Sequence, residues 1–354
     1  MSRTASRFVL IDALKALASQ LIVLHHLAYY GPMSDLASAL APALFAWLAH
    51  DARLVVQVFL VIGGFLAARG LAPDARFSAR EGLVTLVWQR YLRLAVPLMA
   101  MLVFAIVAAA IARALFEHDA TPARPSIVQV LAHLFLLQDL VGQEALSAGV
   151  WYVAIDLQLF ALFAMIMWLA RAPGPRVSAV LGPVAVAGLA LLSIFYFNRD
   201  AAWDVAAPYF FGAYALGAFA WWGAQRGRAW WLMALMTATL LALEVDFRER
   251  LALAACVALA LMLAQSKPHW CRALDWRLLA WLSRISYPLF LIHFPVCLLV
   301  NAAFAVWLPQ TAPVQALGVL IAWLGSVAVA DLFGRWVDTR APFAARPVAA
   351  PQRA

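Results

Sequence analysis

Ten apolar runs of membrane-spanning length follow one another through this sequence, at about 8–30, 53–71, 83–113, 148–170, 177–197, 205–223, 229–245, 250–265, 284–307 and 313–334. Crossing a hydrocarbon core of about 30 Å takes roughly 20 helical residues, and every backbone N–H and C=O inside it must be bonded within the protein. Only helix bundles and closed barrels meet that demand, and the ten-residue alternation of barrel strands is missing. The expectation is an all-α, polytopic transmembrane helix bundle of about ten spans, with the seventh and eighth short. Composition agrees, at 66% hydrophobic and 12% charged residues, where soluble chains carry about 25% charged residues. Ser126–Leu140 is apolar but too short to cross, and reads as an interfacial or re-entrant helix. No linker or repeat divides the chain, so residues 1–340 read as one transmembrane domain and 341–354 as a short disordered cytoplasmic tail. Asp12 and Lys15 interrupt the first run, which therefore reads as a span and not as a cleaved signal peptide.

The net charge of +8 raises the question of nucleic acid, but its distribution answers it. With the N-terminus in the cytoplasm, 19 basic residues fall on the cytoplasmic side, 6 on the far side, and Lys15 within the membrane. A bias of that size is the positive-inside pattern, and it puts both termini in the cytoplasm. Nucleic-acid binding is set aside. Cys256 and Cys297 lie in apolar runs and Cys271 in a basic loop, a pattern with no disulfide framework and no metal spacing.

Chemistry is expected where ionisable groups enter the apolar runs, because such groups usually face a bundle interior or a wet cavity. The first span, IDALKALASQLIVLHHLAYY, carries Asp12, Lys15, His25 and His26. On a helix Lys15 and His26 lie about 16 Å apart along the axis and within about 20° in azimuth, Asp12 falls within about 40° of that face, and His25 is turned away by about 100°. The competing reading is an Asp12–Lys15 pair at the interface, with histidines that only bond neighbouring helices. In the third span Arg90 and Arg93 stand at i and i+3, a spacing suited to gripping phosphate or, equally, to snorkelling towards headgroups. Asp156 and Gln158 sit inside the fourth span, and Asp156 needs a partner there, whether catalytic or structural. His293 lies between Pro288 and Pro295 in the ninth span, where a structural bond to a neighbour explains it as well as function does. Gly63 and Gly64 permit close helix approach.

Together and in order, these segments resemble the acyltransferase 3 family of bacterial membrane proteins. IDALKALASQLIVLHH is similar to that family's opening helix, with the basic residue at Lys15 and the histidine at His26. VFLVIGGFLAARG resembles its second helix, WQRYLRLAVP carries its RxxR motif at Arg90 and Arg93, WYVAIDLQLF has Asp156 where glutamate is usual, and ISYPLFLIHFPV places His293. Lysine at 15 replaces the commoner arginine, and alanines at 13 and 16 replace glycines. The resemblance implies transfer of an acyl group, commonly acetyl, from cytoplasmic acetyl-CoA or another acyl-CoA to a hydroxyl of an extracytoplasmic glycan or lipid-linked saccharide, at the bacterial inner membrane among its lipids. It implies His26 as general base, Asp12 or Asp156 orienting it, and Lys15, Arg90 and Arg93 holding the CoA phosphates at the cytoplasmic end. An extended pantetheine arm covers a distance comparable to that between Lys15 and His26. Candidate substrate contacts are His25, Trp151 and His293, and no metal is expected. The alternatives are a transporter of an acyl group or lipid-linked sugar without transferase chemistry, against which no pair of corresponding broken helices is seen, and a succinyl-type acyltransferase, for which no additional deep cation is evident.

Overall fold

Each long apolar run closes into an α-helix, because only intra-segment hydrogen bonds satisfy its backbone away from water. The computed structural model describes residues 8–225 and 227–340. Thirteen α-helices follow in order: α1 Val9–Tyr29, α2 Pro32–Ala37, α3 Pro42–His50, α4 Val56–Leu71, α5 Leu83–Leu115, α6 Ile127–Leu134, α7 Val150–Leu169, α8 Pro175–Phe195, α9 Ala207–Gly223, α10 Ala229–Val245, α11 Glu249–Ser266, α12 Arg277–Trp307 and α13 Ala312–Arg340. No strand occurs among the described residues. The tail expected at 341–354 lies outside them.

Among the described residues, eight helical stretches are long and apolar enough to cross a membrane. The second of these runs from Pro42 to Leu71, so it begins well before residue 53: α3 and a 3-10 turn precede α4 and extend it. The helix expected from 284 starts at Arg277. At 17 residues each, α9 and α10 are at the short limit. Protein wraps α9, with 15 of its 17 residues buried, so lipid does not set its hydropathy. The short apolar segment after Ser126 forms the eight-residue α6, whose first turn is closed by a capping box between Ser126 and Gln129.

Two apolar cores meet along α1 and α7. One gathers α4, α8, α9 and α11, the other α5, α12 and α13, and the two long helices α1 and α7 contribute residues to both. In the first core α4 crosses α9 at backbone contact: a Cβ on Gly64 would lie 1.8 Å from the Tyr214 carbonyl oxygen, and one on Gly217 1.9 Å from that of Val61. In the second, α1 and α12 run parallel. Ser283 Oγ donates to Asp12 Oδ1 at 2.8 Å near the start of both, and the His26 and His293 rings meet further along both. The Trp281 indole donates to Asp331 Oδ1 at 2.8 Å, which brings the far end of α13 back beside the start of α12. The described ends of the chain therefore lie at the same end of the bundle.

Candidate active site at the seam of the bundle

Three layers of polar groups are stacked along that seam. The innermost, near the start of α1, holds Asp12, which accepts from Ser283, and the half-buried Lys15, which lies within electrostatic reach of Asp12. Gln20 follows on α1, accepting the Trp323 indole N–H at 2.9 Å.

The middle layer is an ion pair. Arg90 of α5 grips Asp156 of α7 through Nε at 3.1 Å and Nη2 at 2.8 and 2.6 Å, a charge-assisted fork. The guanidinium also lies over the Phe160 ring at 5.4 Å. Tyr152, Tyr214 and Tyr287 surround the pair within electrostatic reach, and the Tyr287 hydroxyl donates to the Leu94 carbonyl at 2.9 Å. Gly63 makes room here, since a methyl at that position would meet the Tyr214 ring at 3.1 Å and Asp156 Oδ1 at 3.8 Å. The Arg90 side chain is 32% exposed, against 8% for Asp156. Its Nη1 bonds no described residue. Arg93 is exposed and does not join the layer. The two arginines thus form no clamp: the carboxylate of Asp156 already holds one of them.

The outer layer is built on His26. Its Nδ1 lies 2.7 Å from Nε2 of His293, and His293 Nδ1 lies 3.2 Å from the carbonyl oxygen of Leu289. A carbonyl can only accept, so His293 carries its proton on Nδ1 and presents a bare Nε2 when neutral. His26 must then donate from Nδ1, which leaves its own Nε2 with a free lone pair. The two rings are 9° from parallel with centroids 4.8 Å apart. With the nitrogens at 2.7 Å, that is an end-to-end contact, as a hydrogen bond requires, and not a face-on stack. Gly149, at φ +83° just before α7, closes over the same ring: a Cβ there would lie 3.5 Å from His26 Cε1 and 2.9 Å from Phe290 Cζ. The first turn of α7 therefore begins against the catalytic candidate.

The layers are ordered in depth. Seven residues of α7 separate Gly149 from Asp156, and six of α12 separate His293 from Tyr287, so both helices put the ion pair about 10 Å inward of His26. Lys15 lies about 16 Å inward on α1. Neither Asp12 nor Asp156 orients His26: Asp12 is two layers away and Asp156 is taken by Arg90, while His293 holds the imidazole. His25 points elsewhere and donates to the Leu48 carbonyl at 3.0 Å, fastening α1 to α3. Trp151 is half-buried and stacks on Phe210 at 5.6 Å. The parts invisible in the sequence are the His26–His293 contact, the tyrosine ring around Asp156, and Gly149. Of these, only Tyr152 left a signal, standing one turn before Asp156 on the same helix face.

The segment that delivers Gly149 is itself pinned by a histidine. His133 of α6 is fully buried, donates from Nδ1 to the Gln129 carbonyl at 2.8 Å, and accepts the Leu146 N–H on Nε2 at 3.1 Å. Both nitrogens are used by the neutral ring, and burial pushes its pKa below the ordinary value. Burial likewise raises the carboxyl of Asp139 in the intervening turn. No group of three or more His, Cys, Asp or Glu able to hold a metal ion occurs among the described residues.

The model of the acyltransferase domain family, acyltransferase 3, matches residues 8–333, from the start of α1 nearly to the end of α13. No curated protein and no solved structure matches the chain.

Proposed function

The chain belongs to the acyltransferase 3 family, and from that premise we propose that it is an O-acyltransferase of the bacterial inner membrane, with His26 as its general base. Acetyl, carried by acetyl-CoA, is the expected group, since among the described residues no further deep cation stands ready for a succinyl carboxylate. The observation that carries the reading is the relay from Leu289 through His293 to His26, which leaves a bare Nε2 at the opposite end of the seam from Lys15. The acceptor hydroxyl gives its proton to Nε2 as its oxygen attacks the thioester carbonyl. The carbon–sulfur bond then breaks and CoA leaves as the thiolate. The imidazolium formed on His26 keeps its Nδ1–H on His293, a bond that strengthens as charge develops. The positive end of the α7 dipole, beginning at Gly149, faces the developing oxyanion.

Donor and acceptor approach from opposite ends. The positive-inside bias supports a ten-span topology in which the end carrying Lys15 is cytoplasmic, with both termini there. Lys15 and the free Nη1 arm of Arg90 are then the cations available to CoA phosphates, with Arg93 at the lipid-facing margin. The acceptor, an extracytoplasmic or lipid-linked glycan, reaches His26 from the other end, past Trp151. The test is His26→Ala in cells whose surface and periplasmic glycans are analysed by mass: O-acylation should disappear while the protein stays abundant. Undiminished acylation refutes the assignment.

A further inference from the structure

One amide of α12 fastens the end of α1. Asn301, only 3% exposed, accepts the Met33 N–H on Oδ1 at 3.2 Å and donates from Nδ2 to the carbonyl oxygens of Cys297, at 3.0 Å, and Tyr30, at 3.5 Å. The Cys297 thiol also donates to the Tyr30 carbonyl, at 3.8 Å. Gly31 sits between them at φ +102°, and a Cβ there would lie 2.4 Å from Asn301 Oδ1. Glycine adopts that φ without strain and leaves the amide its place. The turn after α1 is therefore built around Asn301, about two turns of α12 beyond His293.

What that turn fixes is Tyr30. It follows His26 by four residues, and its N–H donates to the His26 carbonyl at 2.9 Å. Helical side chains lean towards the N-terminus, so the residue at i+4 leans over the one at i. The Tyr30 and His26 rings accordingly lie 5.7 Å apart at 49°. Phe294 meets the Tyr30 ring edge-on at 5.3 Å, and Tyr29 does so at 4.9 Å. Backbone and ring are thus held, yet no described residue bonds the phenol hydroxyl. A phenol O–H packed into protein normally finds a partner, and Tyr30 is half-buried. Its hydroxyl is left without a bond beside the base, on the side of His26 away from Lys15.

We propose that Tyr30 contacts the acceptor and that Asn301 is its positioning residue. The phenol O–H donates to an acceptor oxygen adjacent to the hydroxyl that gives its proton to His26 Nε2. That sets a chemical requirement on the acceptor: a second oxygen beside the reacting hydroxyl, as in the vicinal diol of a saccharide. The thioester arrives from the Lys15 end, so the phenol meets acceptor and not donor. The inference rests on the acyl-transfer reading above and names the residue that receives its acceptor.

The experiment compares two reactions of the full chain. One is O-acylation of glycans in cells, read by mass at matched protein abundance. The other is acetyl-CoA hydrolysis by the protein in nanodiscs, where water takes the acceptor's place. Tyr30→Phe keeps the ring contacts and removes the hydroxyl. It should lower glycan O-acylation at least tenfold, and at least fivefold more than it lowers hydrolysis, at an unchanged thermal midpoint. Asn301→Ala should show the same imbalance. Tyr30→Phe/Asn301→Ala should show no larger imbalance than Tyr30→Phe, because Asn301 acts through Tyr30. Undiminished glycan O-acylation in Tyr30→Phe, or equal loss of both reactions, overturns the role of Tyr30. Equal loss of both reactions in Asn301→Ala makes that residue a structural clamp and overturns its part of the proposal. A wild-type chain that performs neither reaction refutes the acyl-transfer reading itself, a result distinct from any imbalance between the two.

Discussion

Replacing His293 separates the relay reading of His26 from a picture in which two histidines merely pack together. In the resting site the His26 Nδ1–H bond to His293 Nε2, at 2.7 Å, joins neutral rings, and such a bond contributes about 0.5–1.5 kcal/mol. In the transition state His26 approaches imidazolium and the same bond becomes charge-assisted, worth about 1.5–3 kcal/mol. The difference, about 1–1.5 kcal/mol, is roughly five- to tenfold in kcat. Losing the acceptor also frees His26 to put its proton on Nε2, where it cannot act as a base, at a cost of another twofold to about tenfold. His293→Ala should therefore lower acyl transfer about 10- to 100-fold, less than the 10²- to 10⁴-fold expected for removing the base in His26→Ala. His293→Gln offers its Oε1 to the same N–H and should recover activity to within about tenfold of wild type. The double variant His26→Ala/His293→Ala should be no slower than His26→Ala alone, because His293 acts only through His26. The assay is release of CoA thiol by purified protein, with the thermal midpoint of each variant followed alongside. Multiplicative losses in the double variant, or a His293→Ala defect larger than that of His26→Ala, would refute the relay.

Three further outcomes follow from the same geometry. Gly64→Ala would put a methyl 1.8 Å from the Tyr214 carbonyl oxygen and must prise α4 from α9, so its abundance should collapse, as overpacking of this kind costs about 1–3 kcal/mol or more. Gly63→Ala meets a ring edge at 3.1 Å and should still assemble; equal abundance of Gly64→Ala and wild type on immunoblots would refute the backbone contact. Asp156→Asn leaves the Arg90 cation without its counter-charge. A fully buried broken pair costs about 3–5 kcal/mol, and the 32% exposure of Arg90 reduces that, so a thermal midpoint several degrees lower is expected. Arg90→Gln/Asp156→Asn should regain part of the loss, and additive destabilisation would show that the pair is not coupled. For His133, burial lowers the folded-state pKa below 6.5, so the unfolded segment binds the proton more readily. The clasp on Leu146 is then fully present above pH 6.5 and is lost as pH falls from there towards the folded value. Amide exchange at Leu146 should accelerate between pH 7.5 and 5 beyond the intrinsic rate change, and His133→Gln should flatten that dependence.

The sequence already carries the helices, because hydrocarbon leaves a backbone no alternative to helix once an apolar run reaches about 20 residues. It also singles out His26, since one azimuth contains both that ring and Lys15, and the structure turns His25 to the Leu48 carbonyl. What it does not carry is partnership. Arg90 and Asp156 each stand out as a misplaced charge, and read singly one goes to phosphate and the other to an imidazole; two opposite charges inside one bundle satisfy each other first. The contact between His26 and His293 spans 267 positions and exists because α1 and α12 run parallel, a packing relation that no local pattern encodes. Protein-wrapped elements are equally hard to read from hydropathy: the aromatic and small residues of α9 look like a marginal span, although 15 of its 17 residues are buried. In a bundle of this kind sequence identifies groups that cannot be left alone in a membrane, and helix packing decides which meet each other and which are left facing a substrate.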